Sequence, residues 1–145
     1  MQRSSSALQK SQVRLDWSKI ALLVGLLLVP GYALIRLLAG NDGWLLLILP
    51  LTVSVFAFFA YRSDKRYAES GKWRIPEATL HLISLLGGWP GAFLAQQIFR
   101  HKTSKLSFQF VFWCVVALHQ FLAIDSLFAW RFTRDAFRFV REQVA

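Results

Sequence analysis

Three long stretches of this chain are almost without charge, and that constrains its fold more than any motif. Residues 20–61, 78–99 and 106–130 hold only Arg36, Asp42 and Asp125 as charged side chains, and the rest of the chain carries the other 22. A soluble domain spreads charge along the outer face of every amphipathic element. A disordered chain needs far more polarity than 55% hydrophobic residues leaves. The chain is therefore a membrane protein, and 145 residues make one domain of it. Its formal charge of +9 could serve nucleic acid or an anionic membrane. Beside apolar blocks this long, the basic residues read as flanks that orient spanning helices.

A bilayer core about 30 Å thick takes roughly 20 helical residues to cross. Residues 20–39 meet that length, with Arg36 near the exit able to reach the headgroups. The basic, Ser-rich residues 1–19 make this first span look like a signal peptide. Pro30, Gly31 and Arg36 follow without a small-x-small cleavage pattern, so an uncleaved signal anchor is expected. Gly40-Asn41-Asp42-Gly43 breaks the chain before a second span over 44–61. A charged loop then runs to Pro76, which opens a third apolar segment over 78–99. Its centre, Gly87-Gly88-Trp89-Pro90-Gly91, is tolerated in membranes where neighbours satisfy the backbone. A fourth span covers 108–128.

In the tail from 129 to 145, Arg131, Arg134, Arg138 and Arg141 fall within about 80° of one another, with apolar residues opposite. That pattern predicts an amphipathic helix lying in the interface. The expected fold is all-α: a small membrane bundle of four transmembrane helices over 20–128, plus this C-terminal helix. Four crossings put 13 basic residues on the cytoplasmic side and three outside, with both termini cytoplasmic. A rival has the third segment folding back at Gly87–Gly91, giving 12 against four and an external tail. Charge does not separate the two. Length favours crossing, because the arms of such a hairpin have only about ten residues each.

Few side chains could carry chemistry. Glu77 and His81 share a helix face four residues apart, as a metal site or acid–base pair requires. The simpler account is Glu77 complementing the helix dipole with His81 bonded to it. Two ligands do not make a metal site, so no metal and no cofactor are expected. Arg100, His101, Lys102, Thr103, Ser104 and Lys105 gather cations and hydroxyls that can hold a phosphate or anionic lipid headgroup, or simply anchor the loop. Asp64, Lys65 and Arg66 are solvated loop charges, or pair with Lys72, Arg74 or Glu77 to cap the membrane face. Ser84, Gly88, Gly91 and Ala95 form a stripe of small side chains, suited to internal packing or self-association. His119, Gln120 and Asp125 in the fourth span, with Gln96 and Gln97 in the third, predict hydrogen bonds between helices rather than a proton relay. Cys114 stands alone in an apolar run and reads as a packing residue.

Together these residues form a pattern. Tyr61-x-x-Asp64-Lys65-x-x-Ala68, Trp73-Arg74-Ile75-Pro76-Glu77-x-x-Leu80, Gly87-Gly88-x-x-Gly91 and Arg100-His101-Lys102-Thr103-x-Lys105-x-x-Phe108 resemble the bacterial membrane family known as domain of unknown function 1294, over about residues 44–128. The resemblance implies a compact helical inner-membrane unit without an established activity, in which Asp64, Lys65, Arg74, Pro76, Gly87, Gly88 and Gly91 are structural. Many members of that family carry an N-terminal cold-shock barrel. Residues 1–19 are too short for one, so no nucleic-acid partner is expected.

Three functions follow. The first is a non-catalytic module binding lipid headgroups, a second copy of itself or another membrane protein. The second is a small transporter or accessory subunit using the broken third segment. The third is an enzyme on a lipid-linked phosphate, with Glu77 and His81 as acid and base. The basic loops, small-residue stripe and amphipathic tail favour the first.

Overall fold

A computed structural model describes residues 17–39, 45–71 and 75–144. It is all-α among the described residues. The helices are α1 (Trp17–Leu38), α2 (Leu45–Glu69), α3 (Glu77–Ile83), α4 (Trp89–Phe99), α5 (Leu106–Leu127) and α6 (Arg131–Val144). A single π-type turn, Ser84–Gly88, joins α3 to α4. Four segments are long and apolar enough to cross a membrane: Trp17–Leu38, Leu47–Glu69, Glu77–Phe99 and Leu106–Leu127. With the shorter α6 after them, this is the architecture the charge pattern predicts, and the protein is a multi-pass membrane protein.

The third segment does not run straight. Drawn straight, Glu77–Phe99 would hold its ends about 33 Å apart at 1.5 Å per residue. Instead, Lys102 Nζ donates to Glu77 Oε1 at 3.0 Å. The Asp64 carboxylate binds both Ile75 N–H at 3.0 Å and His101 Nε2 at 2.8 Å. Ser84 and Gln96 both face the same Tyr61 hydroxyl. The segment is a helical hairpin, and both its ends lie at one end of the bundle. Arms of about ten residues reach some 16 Å, half-way through a hydrocarbon core.

The turn is written in the glycines. Gly87 has φ 102° and ψ 0°, a conformation that costs an L side chain about 1–2 kcal/mol. Gly88 then precedes α4, whose first turn holds Pro90 in a position where no helical N–H is needed. Ser54 Oγ of α2 donates to the Gly87 carbonyl at 3.3 Å, satisfying an acceptor at the tip. Ser84, Gly88, Gly91 and Ala95 are all buried. A Cβ on Gly91 would stand 1.8 Å from the Ser54 carbonyl oxygen, and one on Gly88 would meet Val53 O and Ala57 Cβ at 3.0 Å. The small-residue stripe therefore serves internal packing against α2.

α5 runs antiparallel to α4, through Gln96–Gln109, Phe93–Trp113 and Trp89–His119. It runs parallel to α1, to which Gln120 donates at Leu26 O and from which Arg36 reaches Leu127 O. The core is Tyr61, Leu80, Trp89, Phe93, Phe108, Phe112 and Val116, with small Ala57, Ala92 and Ala95 between them. Outward-facing Leu, Ile, Val and Phe side chains on α1, α2 and α5 are exposed, as a lipid-covered surface requires.

Gly91→Ala should destabilise the fold by about 1–3 kcal/mol or more, because backbone rather than a flexible side chain occupies the space. Gly25→Ala, with nothing within 4 Å of its Cβ, should be neutral or stabilising. Thermal unfolding in detergent, followed by protease resistance, compares the two.

Candidate functional site

Where the hairpin ends meet α2 and α5, the chain builds a cap of five ionisable side chains. Asp64 is placed by the last turns of α2, and its side chain has no exposed surface. Its Oδ1 accepts from Ile75 N–H, and its Oδ2 accepts from His101 and lies 3.4 Å from Lys102 Nζ. Glu77 opens α3, where a carboxylate favours the positive end of the helix. It accepts from Lys102 at 3.0 Å and from Lys105 at 2.8 and 2.9 Å. Arg100, at φ 47°, ends α4 in a left-handed turn, and Lys102 has φ 61°. Those two turns swing His101 and Lys102 back over the hairpin. Gln109 Nε2 holds the loop by donating to Lys102 O at 2.9 Å. Lys65 Nζ donates to Phe99 O at 2.9 Å, satisfying a carbonyl at the end of α4. Asp64, Ile75, Pro76, Glu77, His101, Lys102 and Lys105 line a cavity of about 410 Å³ at this face.

Beneath the cap lies a second polar layer, inside the hairpin. Tyr61, Ser84 and Gln96 are fully or almost fully buried. Ser84 Oγ donates to Leu80 O, and Gln109 Nε2 donates to Gln96 Oε1 at 2.6 Å. The Tyr61 hydroxyl faces Ser84 and Gln96 without a well-formed hydrogen bond, and Gln96 Nε2 and His81 Nδ1 are also unpaired. Buried polar atoms in such a layer are ordinarily met by water. Phe108 closes the layer from α5, stacked 4.2 Å from the His81 ring and packed edge-on to Tyr61.

The residues singled out in the sequence fare differently. Glu77 and His81 do not pair: the loop lysines engage Glu77, and His81 turns to Phe108. His101, Lys102 and Lys105 do gather, yet the two carboxylates already neutralise the lysines. Arg100 is exposed beside them. Asp64 pairs with the 100–105 loop, and of the partners expected for this cluster Lys72 and Arg74 lie outside the described residues. Pro76 lines the cavity and precedes α3. Among the described residues, no three His, Cys, Asp or Glu side chains gather as a metal group.

In α5, His119 bonds to Val115 O of its own helix, and Gln120 makes the bond between helices. Asp125 is wholly buried and caps α6, accepting from the backbone N–H groups of Phe132 and Thr133 and from the Thr133 hydroxyl. Ala129 and Trp130, at φ 55° and 61°, make the turn that brings α6 to it. Cys114 faces outward instead of packing in the core. Sequence reasoning missed the Asp64–His101 contact, which spans 37 positions, and the roles of Tyr61 and Gln109. The only sequence signal for the contact was the presence of both residues in the resemblance.

Residues 54–108 match the family model described as "Protein of unknown function (DUF1294)". The match is narrower than the 44–128 expected. It begins at Ser54, which supports the hairpin tip, and ends at Phe108, which closes its interior. All five ionisable residues of the cap fall inside it, and α1 and α6 fall outside. The chain is also similar to the "Uncharacterized protein YsdA" of Bacillus subtilis (strain 168), 41% identical over 58 residues. That alignment covers 40% of this chain and 65% of the relative's length. No solved structure matches the chain.

Asp64→Ala leaves His101 and Lys102 without their buried counter-charge and should cost about 3–5 kcal/mol. Glu69→Gln removes only an exposed pair with Lys65 and should change stability by less than about 0.5 kcal/mol. Denaturation of both variants in detergent tests whether the cap holds the hairpin closed.

Proposed function

We propose that this protein is a non-catalytic module of the bacterial inner membrane, in which a re-entrant hairpin carries a phospholipid-binding cap on the cytoplasmic face. The observation that carries this reading is the cap itself. Charged side chains surround an open cavity at the end of an apolar bundle, where headgroups lie. They are bonded to one another, and no hydroxyl or thiol among the described residues is hydrogen-bonded to His81 or His101, as an activated nucleophile would be. The cations that the sequence assigned to a phosphate or anionic lipid, Lys102 and Lys105 with His101, line that cavity.

The hairpin also sets the topology of this reading. Three helices cross, so the two termini lie on opposite sides. In this reading the N-tail and both basic loops, with 12 basic residues, fall to the cap's side, and α6 with its four arginines to the other. The positive-inside rule then makes the cap cytoplasmic. α6, exposed along nearly its whole length, lies in the outer interface through Phe132, Phe137, Phe139 and Val140.

Single cysteines in a Cys114→Ser background test the topology. A membrane-impermeant maleimide should label Gln143→Cys in intact cells and Ser104→Cys only after lysis. The reverse pattern, Ser104→Cys labelled in intact cells and Gln143→Cys only after lysis, is what four crossings from a cytoplasmic N-terminus require and would overturn this topology. Phospholipid retained through purification in mild detergent tests the cap. Lys102→Gln/Lys105→Gln should retain less of it, and unchanged retention would overturn the binding role.

A further inference from the structure

We propose that the cap cavity takes the headgroup of an aminophospholipid, its ammonium on Glu77 and its phosphate on Lys105; this rests on the lipid-binding reading above and names its ligand. The charge balance of the cavity carries the argument. Two carboxylates and two ammonium groups line it together with His101. Among the described residues an anionic headgroup has only the lysines and His101 to bind, and taking the lysines leaves Asp64 or Glu77 without its full counter-charge, one of the costlier states a buried or half-buried carboxylate can enter. A headgroup carrying both signs exchanges partners without stranding any charge.

The exposure of the groups says which pair exchanges. Asp64 and Lys102 form the floor, 0% and 12% exposed, and are held by Ile75 N–H and His101 as well. Glu77 and Lys105 form the rim, at 36% and 55%. Lys105 lies at the start of α5 on a long flexible stem, so it can turn to a phosphate at little cost. A ligand ammonium then replaces it on Glu77 and leaves the floor intact.

Hydrogen-bonding capacity separates a primary amine from choline. A primary ammonium carries three donors, and the two Glu77 oxygens, with about four lone-pair sites, can accept from it beside the bond from Lys102. A quaternary ammonium has none and is ordinarily recognised by aromatic faces. Among the described residues no aromatic side chain lines this cavity, and the nearby Phe108 ring is already covered by Lys102 at 5.1 Å.

The test is retention of defined lipids by the full chain, delipidated in detergent and offered vesicles of phosphatidylethanolamine, its N-methylated series, phosphatidylcholine or phosphatidylglycerol, read by native mass spectrometry. Phosphatidylethanolamine should be retained about tenfold over phosphatidylcholine, falling stepwise with each methyl group as a charge-assisted donor is lost. Glu77→Gln should erase that preference, and Lys105→Gln should weaken every phospholipid alike. Should Glu77→Gln fail to fold, the methylation series on the unaltered chain still decides. Preferential retention of phosphatidylglycerol would overturn the aminophospholipid assignment and leave the headgroup reading standing. Equal, Lys105-independent retention of all lipids would overturn both.

Discussion

The polar end of this molecule depends on one carboxylate held out of water. Asp64 stands near the C-terminal end of an apolar helix, fully buried, and it is stable there only because three groups supply what solvent no longer does: the Ile75 N–H, His101 and Lys102. Those partners come from both ends of the third segment. A buried charge is strongly destabilising when a partner is removed, so its requirement for all of them is also a requirement that the hairpin be closed. The same charge that would be a liability in isolation thus specifies the path of the chain.

At the other end of the hairpin the constraint is steric. Without a hydrophobic drive between helices in lipid, close packing has to hold them. Gly88 and Gly91 let α4 approach the α2 backbone so closely that a single methyl group would meet carbonyl oxygens. Gly87 turns the chain, and Ser54 caps the exposed tip carbonyl. Backbone that leaves the helix inside a bilayer is tolerated only where protein satisfies it, and α2 performs that task for the tip. The cap and the tip are therefore two ends of one device, with α2 as its common wall. The family match covers this device and leaves out α1 and α6.

Between them lies the layer of Tyr61, Ser84, Gln96, Gln109 and His81. Polar side chains at this depth are expensive unless satisfied. Some are bonded to one another, and the three unpaired atoms lie beneath the cap. The arrangement places a wettable interior under a charged rim, inside arms too short to cross alone.

Much of this was legible in the residues themselves. Apolar length located the four long segments, charge exclusion placed them in a membrane, and the arginine spacing of the tail marked α6 as amphipathic, because hydrophobicity and helical period are properties of local sequence. The glycine cluster announced a break. What the break does was not legible. Residues 78–99 have the length to cross, and the basic residues count almost equally for either path, so composition is degenerate between a span and a hairpin. Pairing was equally hidden: Glu77 and His81 are neighbours on one helix face, yet Lys102 and Lys105 win Glu77, because a charge-assisted bond from a returning loop outweighs a neutral neighbour. The sequence by itself determined that the chain is helical, membrane-embedded and basic at its flanks. Only the tertiary structure decided that its third segment turns back, since that depends on the buried Asp64 finding partners 11 and 37 positions away.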